Sequence, residues 1–362
     1  MHRHLVAEPV TMDFVCCGGL RIDYLITPDG QAHVREIGGN ALYAAVGARV
    51  WSDRVGLLAR VGENYPAGWL DALEQHGLDV SGIHVVPGTQ DMRTFYAYTD
   101  SHTRTDTDPA THFARIGVPL PDDLIDYVHS TPGQDDPDEY EPLAVRPDDW
   151  PQALDGACAL HLSPISVCTH TSLPTRARQS SVAQVTADPG ERYMVPRLRS
   201  HVEKLLQNLD VFLPSEMEVR SLLGAVDLWD AAAEFAHHGP RIVVIKMGDQ
   251  GALVYERDLK RSTHVPPYPA RVVDVTGAGD SFCGGFMVGL ATTGDPIRAA
   301  LYGTVSASFA IEGYGALYAM SANPVEARQR LVYLEQVMAN SKHQISNIKR
   351  AYDDEEPSPG GI

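Results

Sequence analysis

Several absences narrow the possibilities before any motif is considered. The 362 residues include five cysteines, Cys16, Cys17, Cys158, Cys168 and Cys283, an odd number with no Cys-x-x-Cys spacing. That excludes a disulfide framework and a zinc ribbon, and it is the usage expected of reduced, mostly buried thiols in a cytoplasmic protein. No two of the fifteen histidines stand four apart, so a helical His-x-x-x-His zinc pair is missing. No Gly-Lys pair occurs, which removes a Walker A phosphate loop. No apolar run reaches membrane length, and the stretch from Met1 to Ala7 lacks a signal-like apolar segment. Positive charge is also scarce: 29 Lys and Arg face 47 Asp and Glu, for a net charge of −18. Nucleic acid and anionic membrane are therefore poor candidates as general partners.

What remains suits a globular protein, with 44% hydrophobic residues and enough length for one large α/β domain or two ordinary ones. A buried strand is expected over Met12–Cys17, then a hairpin from Ile22 to Ile37 around Pro28-Asp29-Gly30. Gly38-Gly39-Asn40 opens a helix with Leu42, Ala45, Val46 and Val50 on one apolar face. A strand at Arg54–Val61 and a helix at Pro66–His76 follow. Met92–Ala97 reads as another strand, with His112–Val118 as its partner, and we assign residues 22–37 and 90–118 to one β-rich lid. A small sheet of this kind has an apolar face to cover, either over the site or against a second copy's lid in a homodimer. Residues 119–151 form an insertion; Thr131 to Pro142 carries five acids, three prolines and no base, the composition of a solvated loop.

Alternation resumes with strands at Ala157–Leu162, Val182–Ala187, Leu209–Pro214, Arg241–Lys246 and Gly251–Tyr255, and helices at Tyr193–Gln207, Glu216–Leu223 and Leu228–His238. His237-His238 is a helix C-terminal pair. Helices at Ile297–Ile311 and Pro324–Ala339 close a domain spanning 1–345, and a polar tail over 346–362 is expected to be disordered. Strands alternating with helices predict a mostly parallel sheet in an α/β/α sandwich.

The most informative stretch is Asp274-Val-Thr-Gly-Ala-Gly-Asp-Ser-Phe-Cys-Gly-Gly-Phe286. It follows the β-like segment Ala270–Val273 and enters a helical pattern of Phe282, Phe286 and Leu290. Gly277, Ala278 and Gly279 thus fall at a helix start, where unpaired N–H groups and the positive dipole end form an anion site. Asp280 in the first turn repels an anion and is better suited to take a proton from a nucleophile attacking it. Gly284, Gly285 and Gly289 each cost roughly 0.5–1 kcal/mol relative to Ala in a helix, so close packing on a sheet is expected to offset them. Taken locally, the residues also admit a glycine-rich helix start that binds nothing. A Gly-Asp-Ser-Leu type hydrolase block at Gly279–Phe282 is a further reading, but no triad partner follows Ser281. Phe282 replaces the third glycine of a dinucleotide fingerprint.

The segment resembles the second signature of the ribokinase (PfkB-type) carbohydrate kinase family, Asp-Thr-x-Gly-Ala-Gly-Asp, with Val275 in place of Thr. The resemblance implies that Gly277, Ala278 and Gly279 stabilise a transferring phosphoryl group and that Asp280 deprotonates an acceptor hydroxyl. Gly38-Gly39 with Val61-Gly62-Glu63-Asn64 resembles the first signature, although Tyr43 stands where the family commonly has Asn. Asp23, Gly38, Gly39 and Asn40 are then the acceptor residues. Pro214-Ser-Glu-Met-Glu218 is similar to the family's Asn-x-x-Glu, which implies that Glu218 holds Mg2+ through water; a surface charge is the equal alternative. Lys246-Met-Gly-Asp-Gln-Gly251 looks like the nucleotide loop, so Lys246, Gly248, Gly251 and Thr276 are assigned to ATP. Asp188 ends a central strand, where open α/β sheets bind ligands. The resemblance implies a ribokinase-like fold and an ATP-dependent sugar kinase, with a monovalent cation conceivable near Asp274. Tyr43 and Tyr96 admit a nucleoside kinase as alternative, and Ser215 and Tyr43 a degenerate ligand-binding protein.

Overall fold

The computed structural model describes residues 12–98, 104–130 and 132–353, with 341–353 as backbone only. In chain order the elements begin with β1 (Phe14–Cys17), β2 (Arg21–Ile26), β3 (Ala32–Gly38), α1 (Asn40–Arg49), β4 (Val55–Gly62), α2 (Ala67–Gln75), β5 (Leu78–Val86), β6 (Arg93–Tyr98), β7 (Arg104–Thr105) and α3 (Pro109–Arg115). They continue as β8 (Ala159–Leu162), α4 (Val167–Gln179), β9 (Gln184–Ala187), α5 (Arg199–Leu206), β10 (Val211–Phe212), α6 (Glu216–Leu223) and α7 (Leu228–His237). The last are β11 (Ile242–Lys246), β12 (Ala252–Glu256), β13 (Arg261–Val265), α8 (Ala278–Thr293), α9 (Pro296–Ala310) and α10 (Pro324–Asp353).

A nine-stranded sheet has the order β13-β12-β11-β10-β9-β8-β1-β4-β5. It is parallel from β11 to β5 and antiparallel at β12 and β13. Phe14-Val-Cys-Cys17 is buried on both faces, the continuous apolar run that a central parallel strand requires. From β1 the chain builds first toward β4 and β5, then on the other side through β8 to β11. The strand order therefore reverses between β1 and β8. Ligands of open α/β sheets bind beyond the strand C-termini at such a switch point, and Ser163, Asp188 and Lys246 stand at those ends.

The second sheet, β3-β2-β6-β7, is the lid. The hairpin of β2 and β3 is present, and β6 adds parallel to β2. The expected partner of β6 is not: residues 112–118 are not a strand, and β7 pairs with Ala97 and Tyr98 instead. Local chemistry accounts for this, since Asp108 caps Thr111 N at 3.3 Å and Pro109 occupies the first helical turn, which starts α3. Two edge strands, β5 and β13, escaped the sequence reading. Conversely, Ala270–Val273 is irregular; Pro266, Pro267 and Pro269 precede it and Val272 is exposed, so nothing extends the sheet there.

The insertion is docked at its flanks, while residues 132–142 are mostly exposed or half-buried, as expected of a solvated loop, with Gln134 buried. Leu124, Tyr127, Leu143, Val145 and Trp150 are buried, Tyr24 donates to the Asp123 carboxylate, and Phe95 N donates to Tyr127 Oη at 3.2 Å. The backbone of α10 continues past Ser346, where an irregular tail was expected, to Asp353; residues 354–362 lie outside the described residues. Of the five thiols, Cys158 alone is exposed and all are free.

The glycines of α8 face helices, not the sheet. A Cβ on Gly284 would lie 1.8 Å from Ala44 O of α1, and one on Gly285 2.3 Å from Ser306 Oγ of α9. The contact is reciprocal, since a Cβ on Gly47 would lie 2.0 Å from Ser281 O. Helix α1 is correspondingly buried all round, from Ala41 to Ala48, rather than along one face. Gly284→Ala should lower unfolding free energy by about 1–3 kcal/mol, the usual range for overpacking, read from the midpoint of urea denaturation at unchanged m-value.

Candidate active site

Helix α8 begins after Gly277, which sits in the left-handed region at φ 73° with no side chain capping the helix. The Tyr43 ring closes on it: a Cβ at Gly277 would lie 2.0 Å from Tyr43 Cδ1. Ala278 N–H donates to Val275 O at 3.2 Å. Among the described residues Gly277 and Gly279 N–H have no hydrogen-bond partner, so the outward donors are these two rather than all three expected amides. Asp280 follows in the first turn. Burial and the neighbouring Asp188 push its carboxyl up to about 7, against the opposing charges of Lys246 and Arg104. The helix N-terminus therefore does not keep it fully ionised, contrary to the simple dipole expectation. A group poised near neutrality is nevertheless well matched to accept a proton.

Beside this turn lies a buried polar cluster. Lys246, ending β11, pairs with Asp188 Oδ2 at the end of β9, and Cys283 Sγ of α8 donates to the same oxygen at 3.5 Å. Lys246 Nζ lies 3.5 Å from where a Gly279 Cβ would stand. Glu218 is not a free surface charge. Ser215 caps α6, and Glu218 Oε2 accepts from Ser215 N at 2.7 Å and from Ser215 Oγ at 2.8 Å, a capping box. Burial and Asp188 push the Glu218 carboxyl up to about 8.

On the lid side, Asp23 of β2 is 9% exposed, and the Gly39 backbone N–H partly offsets the burial that raises its carboxyl. A Cβ at Gly38 would fall 1.8 Å from Asp23 Oδ2, so glycine there is set by the carboxylate itself. Burial drives Asp23 up to about 7, and Asp274 and Asp280 contribute to the rise. The Asn40 amide is engaged by the protein itself: its Oδ1 accepts from Gly19 N at 2.8 Å and its Nδ2 donates to Pro164 O. Asp23, His33, Tyr43, Tyr96, Thr276 and Gly315 border one small cavity of ≈ 20 Å³. Thr276, assigned from sequence to the nucleotide, thus belongs to the lid side, where its hydroxyl meets Tyr98 Oη at 3.0 Å.

Gly248 and Gly251 form the turn between β11 and β12, with φ of 59° and 86°. A Cβ at Gly251 would meet Val265 O at 2.1 Å, so the backbone at the end of β13 by itself requires glycine there. Gly248 has open space around it. Sequence reasoning missed Tyr98 and Arg104, whose guanidinium lies 4.2 Å from the Tyr96 ring centroid. No spacing rule marks residues that reach the site from a separate sheet.

A large, mostly parallel sheet flanked by helices, with a smaller four-stranded second sheet, is the architecture of the ribokinase-like fold. Residues 153–323 match the family model "pfkB family carbohydrate kinase". The chain is 28% identical over 282 residues to a cytidine kinase of Thermococcus kodakarensis, covering 77% of this chain and 88% of that protein. A deoxyribokinase of Salmonella typhimurium is 34% identical over 125 residues, or 33% of this chain and 40% of that protein. Among solved structures, a putative ribokinase II of E. coli in complex with ATP and Mg2+ superposes with a TM-score of 0.66 and 20% identity. That match covers 89% of this chain and 99% of the other and is a likeness of fold. Together these likenesses support a kinase of the ribokinase or PfkB type.

The two carboxyls raised to about 7 carry a stability consequence. A carboxyl with a folded pKa above its unfolded value gains a proton on folding, so stability falls as pH rises from about 4 to 7. Asp280→Asn and Asp23→Asn should each raise the melting temperature at pH 8 by more than at pH 4. Equal shifts at both pH values in scanning calorimetry would contradict the assignment.

Proposed function

We propose that the protein transfers the γ-phosphoryl group of ATP to a hydroxyl of a sugar or nucleoside, with Asp280 as general base. The observation that carries this reading is the single turn in which the unpartnered Gly277 and Gly279 amides adjoin Asp280, with Asp23 across the lid junction. The attacking alcohol is neutral and needs its proton removed, and Asp280 accepts it. The glycine amides and Lys246 oppose charge on the phosphoryl oxygens without having to reorganise. Asp23 takes hydrogen bonds from acceptor hydroxyls, and the Gly39 N–H favours its charged form.

Mg2+ fits the residues present. Glu218 keeps Oε1 outside its capping box, and its carboxyl is raised by burial and by Asp188, so a nearby cation relieves an existing electrostatic cost. Such an ion would neutralise phosphate charge during transfer. Glu218→Gln should raise the magnesium concentration needed for half-maximal activity while retaining the cap, because an amide oxygen can still accept from Ser215 N.

The nucleoside version of this reading has its own support. Tyr43 and Tyr96 border the same cavity as Asp23, and aromatic faces suit a base; the cytidine kinase relative points the same way. The discriminating experiment is coupled ADP release against panels of ribose, deoxyribose, fructose, cytidine and other nucleosides. With an acceptor in hand, Asp280→Asn should lower kcat by about 10²–10⁴ while ATP affinity holds. Parental turnover in Asp280→Asn would refute the base assignment. Absence of ATP-dependent turnover with every acceptor would favour a ligand-binding role.

A further inference from the structure

The Lys246–Asp188 pair is the most deeply buried ion pair at the strand C-termini, with side chains 13% and 3% exposed. Nothing in fold maintenance asks for it there, because replacing a buried ion pair by apolar residues is often neutral or stabilising. Three features point to a role in the reaction. Nζ has three N–H donors; one goes to Asp188 and another lies 3.6 Å from Cys283 Sγ. The ammonium also borders Gly279, beside the unpartnered amides. Finally, Asp188 Oδ1 is buried without a hydrogen-bond partner among the described residues, so this carboxylate is held by its one ion pair and a weak thiol contact.

We propose that Asp188 is a positioning residue that fixes the Lys246 ammonium as a charged member of the phosphoryl-binding site at the start of α8. The strand ends of β9 and β11 set the two backbones side by side, and the carboxylate fixes the direction of an otherwise flexible four-carbon side chain. This extends the kinase reading and rests on it.

The pair also keeps Lys246 charged. Burial alone favours the neutral amine; Asp188, then Cys283 and Glu218, reverse that preference. The other titratable groups facing the ammonium are His161, which it helps keep neutral, and Asp280. Without Asp188 a desolvated lysine loses its proton at much lower pH, by up to 3–5 units for a fully buried group.

The test requires no acceptor: calorimetric titration of ATP with Mg2+ into the full chain from pH 6 to 10. Wild type supplies the reference curve, because Asp280 and Glu218, raised to about 7 and 8, titrate within this window, and each variant is read as a ratio to it. Asp188→Asn should match it at pH 6 within about threefold and lose at least tenfold as pH rises toward 9. Lys246→Met should bind weakly at every pH, without that alkaline limb. An Asp188→Asn titration parallel to wild type, or an alkaline limb persisting in Lys246→Met, would overturn the proposal. If Asp188→Asn does not fold, the double variant Asp188→Asn/Lys246→Met tests the same coupling. It should bind no more weakly than Lys246→Met alone, and multiplicative losses would count against the inference. Once an acceptor is known, Lys246→Met should lower kcat by about 10²–10³, as removal of one oxyanion donor does. Failure of the acceptor screen with the expected ATP titrations would fault the kinase reading and leave the pairing intact.

Discussion

The close approach of α8 to α1 and α9 is the constraint on which the site depends. Glycine at 47, 284 and 285 lets backbone meet backbone and side chain at distances no Cβ could tolerate. The result is a helix whose first turn is held from both flanks. Ser281 reinforces this by donating to Tyr43 O at 3.0 Å, which ties the start of α8 to α1. A cradle for a transferring phosphoryl group works only if its donors are fixed before the charge develops. Rigidity at Gly277–Gly279 therefore comes from packing several residues further on.

Much of this was legible in the chain. The Asp274–Phe286 segment announces a glycine-opened helix with a carboxylate in its first turn, and that is what forms. The alternation of strands and helices predicts the parallel sheet, and α6 has the bounds read from its helical pattern, Glu216–Leu223. The departures have physical causes. Asn40 reads as a ligand-facing amide, but tertiary structure brings Gly19 N and Pro164 O to it from other segments. Helical glycine says that something comes close, without saying whether sheet or helix does. The partner expected for the β-rich run after Met92 is instead a helix, because Asp108 and Pro109 start one there. Asp188 looks like any strand-end carboxylate until the fold places Lys246 against it from 58 residues away.

The raised carboxyls at Asp23, Glu218 and Asp280 share a cause: each is desolvated by burial, neighbouring acids add to the rise, and Arg21, Lys246 and Arg104 only partly oppose it. Such a site is costly to fold and favourable to fill with cations and hydroxyl donors, the usual tension between stability and activity.

The cavity between lid and body has a consequence for how an acceptor arrives. The cavity is small, ≈ 20 Å³, and Tyr98 Oη meets Thr276 Oγ1 at 3.0 Å where the lid joins the motif. A neutral hydrogen bond is worth about 0.5–1.5 kcal/mol net, so parting the two hydroxyls is a modest step. If the acceptor enters here, as the proposed kinase reading has it, its affinity is diluted by the fraction of molecules with the lid apart. Changes at Tyr98 or Thr276 alter apparent affinity through that fraction, even for acceptors that touch neither hydroxyl.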